Sequence, residues 1–254
     1  NNGLNYSARF TLADSRTKIT RYSNPSGLID GFYAGKYVGE IWGYETIGIA
    51  QSDQEMAEHI GRLINGGQSN LGQDWKAGDI MYKDLNEDGK IDAGSHTLQD
   101  HGDLKRIGNS TPRYNVGLEL AADWKGFDIR MFWQGTLKRD YFQGSYYFWG
   151  ANGRQGPWFS TALKGHDDYF RNDEASPLGT NLNSYYPRPL FNTDKNQQSQ
   201  TKYLQDASYL RLKNLQIGYS LPHNIVQKMG MQHLRIFASG ENLFTITSLI
   251  DFFD

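Results

Sequence analysis

The sequence predicts an all-β chain, read as a portion of an antiparallel transmembrane β-barrel with one short loop helix. Three observations lead there. The segments 114–133 and 209–221 alternate apolar and polar residues over runs of about 9–11 residues, the length that carries a tilted strand across a bilayer. Aromatics make up 14% of the chain (16 Tyr, 13 Phe, 6 Trp) beside 28 Gly, a composition that favours strands, tight turns and ring-lined surfaces. No stretch approaches the roughly 18 consecutive apolar residues of a membrane helix. The mean hydropathy of -0.67 is compatible with membrane strands, whose alternation averages out.

Taken in order, Tyr6, Ala8, Phe10 and Leu12 alternate with Ser7, Arg9 and Thr11 as a strand with two unlike faces, and Asn24-Pro25-Ser26-Gly27 breaks the chain. Residues 31–49 are rich in Gly and aromatics and read as short irregular strands. Ser52-Asp53-Gln54-Glu55 has the form of a capping box. Met56, Ile60 and Leu63/Ile64 follow at helical spacing as a packing stripe, and Asn65-Gly66-Gly67 ends the helix. From Pro112, Tyr114, Val116, Leu118, Leu120, Ala122 and Trp124 share one parity. Lys125-Gly126 turns the chain, and Phe127, Ile129, Met131 and Trp133 resume the pattern, predicting a hairpin with a very short turn. Residues 209–221 alternate too, but parity slips at Lys213-Asn214, the signature of a β-bulge. Ile225, Val226 and Met229 give about one helical turn, and His233 to Phe244 a final strand. Residues 139–202 are long, polar and aromatic with little periodicity, as extended surface loops are.

Composition excludes several classes. A length of 254 residues suits one large domain or two small ones. The balance of 26 Lys+Arg against 28 Asp+Glu, a net charge of -2, argues against nucleic acid or an anionic surface as the main partner. With no Cys there is no disulfide, thiolate nucleophile or Cys-ligated zinc. The chain opens Asn1-Asn2-Gly3 with no initiator Met and no basic or apolar leader pattern. That is expected of a processed chain or of an internal piece of a longer one, and the second is favoured.

The most specific local signal is Asp84-Leu85-Asn86-Glu87-Asp88-Gly89-Lys90-Ile91-Asp92. Oxygen donors at Asp84, Asn86 and Asp88, Gly89 at the reversal, the Lys90 carbonyl and Asp92 match the front of an EF-hand-type Ca²⁺ loop. Ser95 stands where a bidentate Glu normally closes the shell, so a bound ion would be weak or would borrow Asp100 or Asp103. The alternative is a rigid Asx-turn with no metal. The six histidines form no His-Glu-x-x-His, no Gly-x-Ser-x-Gly elbow is present, and no carboxylate pair stands out, so no catalytic residue is assigned and the chain is read as no enzyme. His166-Asp167-Asp168 reads as a solvated loop. Of the aromatics, Trp124 and Trp133 suit a bilayer girdle. Trp149, Trp158, Tyr185 and Tyr186, beside Gly or Pro or in polar loops, are the candidates for stacking on a ligand.

At Gly78-Asp79-Ile80-Met81-Tyr82-Lys83-Asp84 to Asp92 the chain resembles the SusC/RagA family of TonB-dependent outer-membrane transporters. Arg106-Ile107-Gly108-Asn109-Ser110-Thr111-Pro112-Arg113-Tyr114, Lys125-Gly126-Phe127-Asp128 with Phe132-Trp133-Gln134-Gly135, Tyr203 to Pro222, and Leu234-Arg235-Ile236-Phe237 to Thr245 follow in the family's order. Residues 1–77 match more loosely, best at Gly39-Glu40-Ile41-Trp42-Gly43-Tyr44. The resemblance implies residues 1–254 as a C-terminal portion of the barrel domain, rich in extracellular loops at 24–110 and 139–202, with the plug domain absent. It further implies the bacterial outer membrane as location, outer-membrane lipid around the strands, a SusD-like lipoprotein lid, TonB acting through regions of a parent, and oligosaccharides or peptides as cargo. A soluble β-rich glycan-binding module with a structural Ca²⁺ loop is the alternative, and a secreted β-fold hydrolase a third.

Overall fold

A computed structural model of the chain describes residues 3–150, 162–191 and 193–250. In chain order the elements are β1 (Asn5–Ala13), β2 (Glu40–Gly43), β3 (Thr46–Ile49), α1 (Asp53–Arg62), β4 (Ile80–Tyr82), β5 (Lys105–Asn109), β6 (Arg113–Trp124), β7 (Phe127–Lys138), β8 (Asp140–Phe142), α2 (Tyr146–Trp149), a 3-10 turn at Lys164–Asp167, β9 (Leu204–Asp206), β10 (Tyr209–Ser220), α3 (His223–Lys228) and β11 (Arg235–Thr247). They fall into two compact units. The first comprises residues 1–16, 111–140 and 206–254, the second Thr17–Ser110 and Tyr141–Gln205.

The first unit is a five-stranded antiparallel sheet in the order β1-β6-β7-β10-β11. Its register follows from the side-chain period of two, because partners directly opposite each other share a face. Phe10 faces Leu118, Leu118 faces Trp133, Trp133 faces Leu212 and Leu212 faces Phe244, so one row crosses all five strands. The rows below it run Ala8-Leu120-Met131-Leu215 and Tyr6-Ala122-Ile129-Ile217-Ala238. The apolar set expected from the alternation therefore shares one face. The other face carries Ser7, Arg9, Glu119, Arg130, Gln134, Arg211 and Gln216. Among the described residues of this unit nothing closes over the apolar side chains: Phe10 remains 64% exposed, Ile217 49%, Ile246 58% and Trp124 49%. A depression along β1, β6 and β7 is lined by Ser7, Arg9, Glu119, Arg130, Phe132 and Asn214 together with Ala8, Leu120 and Met131.

The bulge lies where the parity slips. Leu212 pairs with Trp133 and Asn214 with Phe132, leaving Lys213 as the extra residue against β7. Against β11 the same step runs from Phe244 to Glu241, and the Lys213 ammonium donates to Asn242 Oδ1 at 2.8 Å. The insertion lets Leu210 and Leu212 before it share a face with Leu215, Ile217 and Tyr219 after it. The Lys125-Gly126 turn has φ of +48° and +86°, the two left-handed residues that match a two-residue turn to the strand twist. This turn and the α3 connection close one end of the sheet. Both long excursions, from β1 to β6 and from β7 to β10, leave and return at the opposite end, where Ala13 pairs with Asn115, Arg113 with Lys138 and Tyr209 with Thr136.

On the polar face Asp128 and Arg235, on strands flanking β10, form a two-pronged ion pair at 2.9 and 2.5 Å. They meet across Gly218, where an added Cβ would collide with both groups. Arg9 and Glu119, directly paired, make a weaker exposed contact at 3.5 Å.

In the second unit the helix appears as read. Ser52 caps α1 by accepting the Glu55 N–H at 3.1 Å, while the Glu55 carboxylate takes the Gln51 N–H at 2.7 Å. Met56 is fully buried and Leu63 nearly so, but Ile64 is 83% exposed and leaves the stripe. The helix ends at Arg62, and beyond the Leu63 cap helical spacing no longer governs which side a residue faces. α3 forms where Ile225 and Val226 predict a helical turn, and α2 is a further single turn among the described residues. The single turn α2 has an all-aromatic sequence of weak helix propensity, and no periodicity announces it.

Replacing Gly218 by Val should separate Asp128 from Arg235 and lower the stability of the protein by about 1–3 kcal/mol in urea unfolding. In an Asp128→Ala/Arg235→Ala background the same replacement should cost much less, since the colliding groups are gone.

Candidate functional site

The second unit is held by buried polar side chains that serve irregular backbone. Strand β4, Ile80-Met81-Tyr82, is buried throughout. The Gln68 amide lies beside it as a surrogate strand: its Nε2 donates to Ile80 O at 3.0 Å and its Oε1 accepts the Tyr82 N–H at 2.6 Å. His59 Nε2 approaches the same oxygen at 3.1 Å, and burial pushes this imidazole towards its neutral form.

Just before β4, the fully buried Asp79 gathers a second network. Arg188 grips both carboxylate oxygens at 2.8 Å, the Lys195 ammonium lies at 2.9 Å, and Asn196 Nδ2 and the Lys76 N–H each donate at 2.9 Å. Asn196 returns its own oxygen to the Ile80 N–H at 2.9 Å. Burial by itself would raise the Asp79 pKa, but Arg188, Asn196, Lys195 and the Lys76 amide together hold it below the ordinary carboxylate value. Lys195 is 2% exposed, with its ammonium 4.5 Å from the Trp75 ring and bonded to the Gln73 and Asp74 carbonyls at 2.8 and 3.0 Å. The pattern of the sequence points to none of this cluster, because its two halves are more than a hundred residues apart in the chain.

The acidic loop follows β4. Asp84 Oδ2 accepts the Gly89 N–H at 2.8 Å, Asn86 Oδ1 the Asp88 N–H at 3.2 Å, and Asp88 Oδ1 the Lys90 N–H at 3.1 Å. Gly89 makes the reversal with φ +81°. Asp92 Oδ1 accepts the Gly94 N–H at 2.8 Å, and its other oxygen takes the Lys90 ammonium at 2.5 Å. These are the bonds of an Asx-turn clasp. Of the two carboxylates that might complete a cation shell, Asp100 binds the Ser95 hydroxyl at 2.5 Å and the Ser95 N–H at 2.9 Å. Asp103 is fully buried and accepts the Leu85 and Asp92 N–H groups at 2.7 and 2.9 Å. Its pKa is raised by burial, with the Asp84 charge adding to the effect. Asp84 Oδ1 is buried without a partner. Among the described residues, no group of three or more acidic or histidine side chains converges as a metal cage.

The loop aromatics come together as a packed cluster. Phe148, Trp149, Tyr186 and Tyr203 are each at most 2% exposed. Trp149 meets Tyr203 edge-on at 4.8 Å between ring centres, Phe148 meets Trp149 at 4.9 Å, and Tyr185 meets Tyr186 at 4.9 Å. The rings of Trp149 and Tyr186 thus face one another's neighbours and not open solvent. Tyr185 is half-buried, its phenol pushed up to about 12 by burial, and the Lys202 ammonium stands 5.7 Å from its ring centre. Trp158, the remaining aromatic candidate, lies outside the described residues.

With this geometry in hand, comparison with known proteins gives one consistent result. No family model matches the chain. It is 30% identical over 213 residues to the TonB-dependent receptor P3 of Formosa agariphila, covering 84% of this chain and 18% of that protein. It is 20% identical over 276 residues to the TonB-dependent receptor P39 of the same organism, covering 98% of this chain and 25% of that protein. In fold it superposes on the RagAB peptide transporter with a TM-score of 0.62 at 19% identity, over 97% of this chain and 24% of that one. The RagAB peptide importer in its 'open-open' state gives 0.56 at 20% identity, with the same coverage. The chain thus spans about a quarter or less of the proteins it matches. The SusC/RagA resemblance of the motifs is borne out, in sequence by the two receptors and in fold by the transporter barrel. These relatives are receptors and transporters and not enzymes.

Because the Asp79 carboxyl is held below its unfolded value of about 3.9, its contribution to stability is complete above that pH and is lost as pH falls through the folded pKa. Asp79→Asn should cost the full-length receptor about 3–5 kcal/mol at neutral pH, by leaving Arg188 and Lys195 uncompensated. It should also flatten the loss of urea stability below about pH 4.

Proposed function

We propose that this chain is part of the wall and outer loops of an outer-membrane, TonB-dependent importer of oligosaccharides or peptides that works with a SusD-like lipoprotein lid. The observation that carries the reading is the apolar face of the five-stranded sheet opposite a polar one. Strand β6 has 12 residues, or about 37 Å of rise at 3.4 Å per step. Inclined at about 40°, it covers about 28 Å, close to the apolar band of an outer-membrane barrel. Long connections at one end and a tight turn at the other match the extracellular and periplasmic ends of such barrels. Edge strands β1 and β11 each pair on one side only among the described residues, which suits a wall that continues into further strands. The loop aromatics and the acidic clasp then shape and stiffen the outer surface and catalyse nothing.

The parent receptor should fractionate with the outer membrane and require detergent for release. Cells should take up labelled oligosaccharide or labelled peptide only while both the receptor and TonB are present. Recovery of the receptor in the aqueous fraction after lysis without detergent would contradict the barrel and favour the glycan-binding module.

For the acidic loop the proposal is a weak Ca²⁺ site at the edge where Asp84 Oδ1 lacks a partner and Asp103 lies nearby. It is supported by that unsatisfied oxygen and by the raised pKa of Asp103, which a cation would relieve. Millimolar Ca²⁺, the range of extracellular modules, should raise the melting temperature of the receptor. Asp84→Ala with Asp88→Ala should abolish that increment. Equal melting with and without Ca²⁺ in the unaltered receptor removes the metal.

A further inference from the structure

We propose that α3 and the turns flanking it form an interfacial anchor that seats the short-turn end of the sheet in the phospholipid headgroup layer, an inference that rests on the lipid-facing reading of the apolar face. The helix lies at the end closed by Lys125-Gly126: the Ser220 N–H donates to Gly126 O at 2.7 Å, and the Leu221 N–H to Leu234 O at 3.0 Å. That last rung keeps the parity of Tyr219 and Ile236, so Leu221 and Leu234 extend the apolar face by one row.

The rows next to α3 are already aromatic. Phe127 and Tyr219 pack at 4.4 Å between ring centres, with Trp124 49%, Phe127 55% and Ile236 63% exposed. Past the rung, α3 presents Ile225, 46% exposed, and the residue that caps its C-terminus, Met229, is 56% exposed. Val226, 1% exposed, holds the helix down, and Met231 beyond it is 36% exposed. His223, Asn224, Gln227 and Lys228 occupy the remaining arc.

Charge points to the same occupant. The segment from Leu221 to Leu234 contains Lys228, His223 and His233 and neither Asp nor Glu. Lys125 stands with its ammonium 4.8 Å from the Trp124 ring centre. Aliphatic side chains with rings and cations beside them are what a headgroup boundary accommodates, the apolar parts entering the acyl edge and the cations meeting phosphate. A protein partner is a poorer fit. The exposed apolar strip on α3 is about one helical turn long, far short of the roughly 800 Å² per partner of a stable interface. The strip is, however, continuous with a face that lipid would already cover.

The test uses the full-length receptor in nanodiscs of phosphatidylethanolamine and phosphatidylglycerol, with a nitroxide placed on Ile225→Cys, Met229→Cys, Gln227→Cys or Ile217→Cys. Accessibility to oxygen, which partitions into lipid, is compared with accessibility to a nickel chelate, which stays in water. The expected result is an oxygen-to-nickel ratio at 225 and 229 severalfold above that at 227 and below that at 217, in the middle of the apolar face. Ratios at 225 and 229 equal to that at 227, with 217 still in lipid, overturn the anchor and leave the barrel standing. Labels at 225 and 229 shielded from both reagents overturn it in favour of a protein contact. A nickel-accessible 217 removes the lipid-facing wall and the anchor with it.

Discussion

Everything in the five-stranded sheet depends on register. In a strand the side-chain period is two, so a slip of one residue in any ladder would carry every apolar side chain of that strand to the opposite face. Four ladders must agree for Phe10, Leu118, Trp133, Leu212 and Phe244 to share a row, and they do. One irregularity is built in, at Lys213, and it is matched on β11 around Asn242, so two neighbouring strands absorb it together. Without that insertion Leu210 and Leu212 would share a face with Asn214 and Gln216, and Arg211 would turn to the side of Leu215 and Ile217. The bulge thus belongs to the mechanism that separates the two faces.

The second unit answers a different constraint. Its strands are three to five residues long, too short to satisfy their own backbone by pairing, and most of its chain is irregular. Buried amide and carbonyl groups must still be bonded. The molecule meets that need with side chains: Gln68 along β4, Asn196 on Ile80, and Asp103 on Leu85 and Asp92. Asp79 ties the 76–80 segment to Arg188 and Lys195, and Arg171 gathers the Asp167, Tyr169 and Gly179 carbonyls. Buried polar residues are here the substitute for a sheet. A surface assembled this way has its shape fixed by side-chain bonds to the backbone.

Such rigidity also bears on the acidic loop and the aromatic cluster. In both, groups that the residue types recommend for ligand contact are engaged with the protein itself: Asp84, Asn86 and Asp88 with backbone amides, Trp149 and Tyr186 with other rings. Tyr185 with Lys202 is the part of the cluster nearest the surface, and it pairs a ring with a cation.

The sheet was legible in the residues because its pattern is local. Alternation, the Lys125-Gly126 turn, the parity slip at Lys213 and the Ser52 cap each act within a few residues, so sequence alone determined the strands, the hairpin, the bulge and α1. What it could not supply was anything decided by contact between distant segments: the burial of Trp149 and Tyr186, the folding of Tyr146–Trp149 into α2, the exposure of Ile64, and the convergence of Arg188, Lys195 and Asn196 on Asp79. Those follow from which segments of an irregular chain lie side by side, and no periodicity encodes that. Local side-chain spacing dictates which face a residue takes, whereas only the closed tertiary structure decides which residues become each other's solvent.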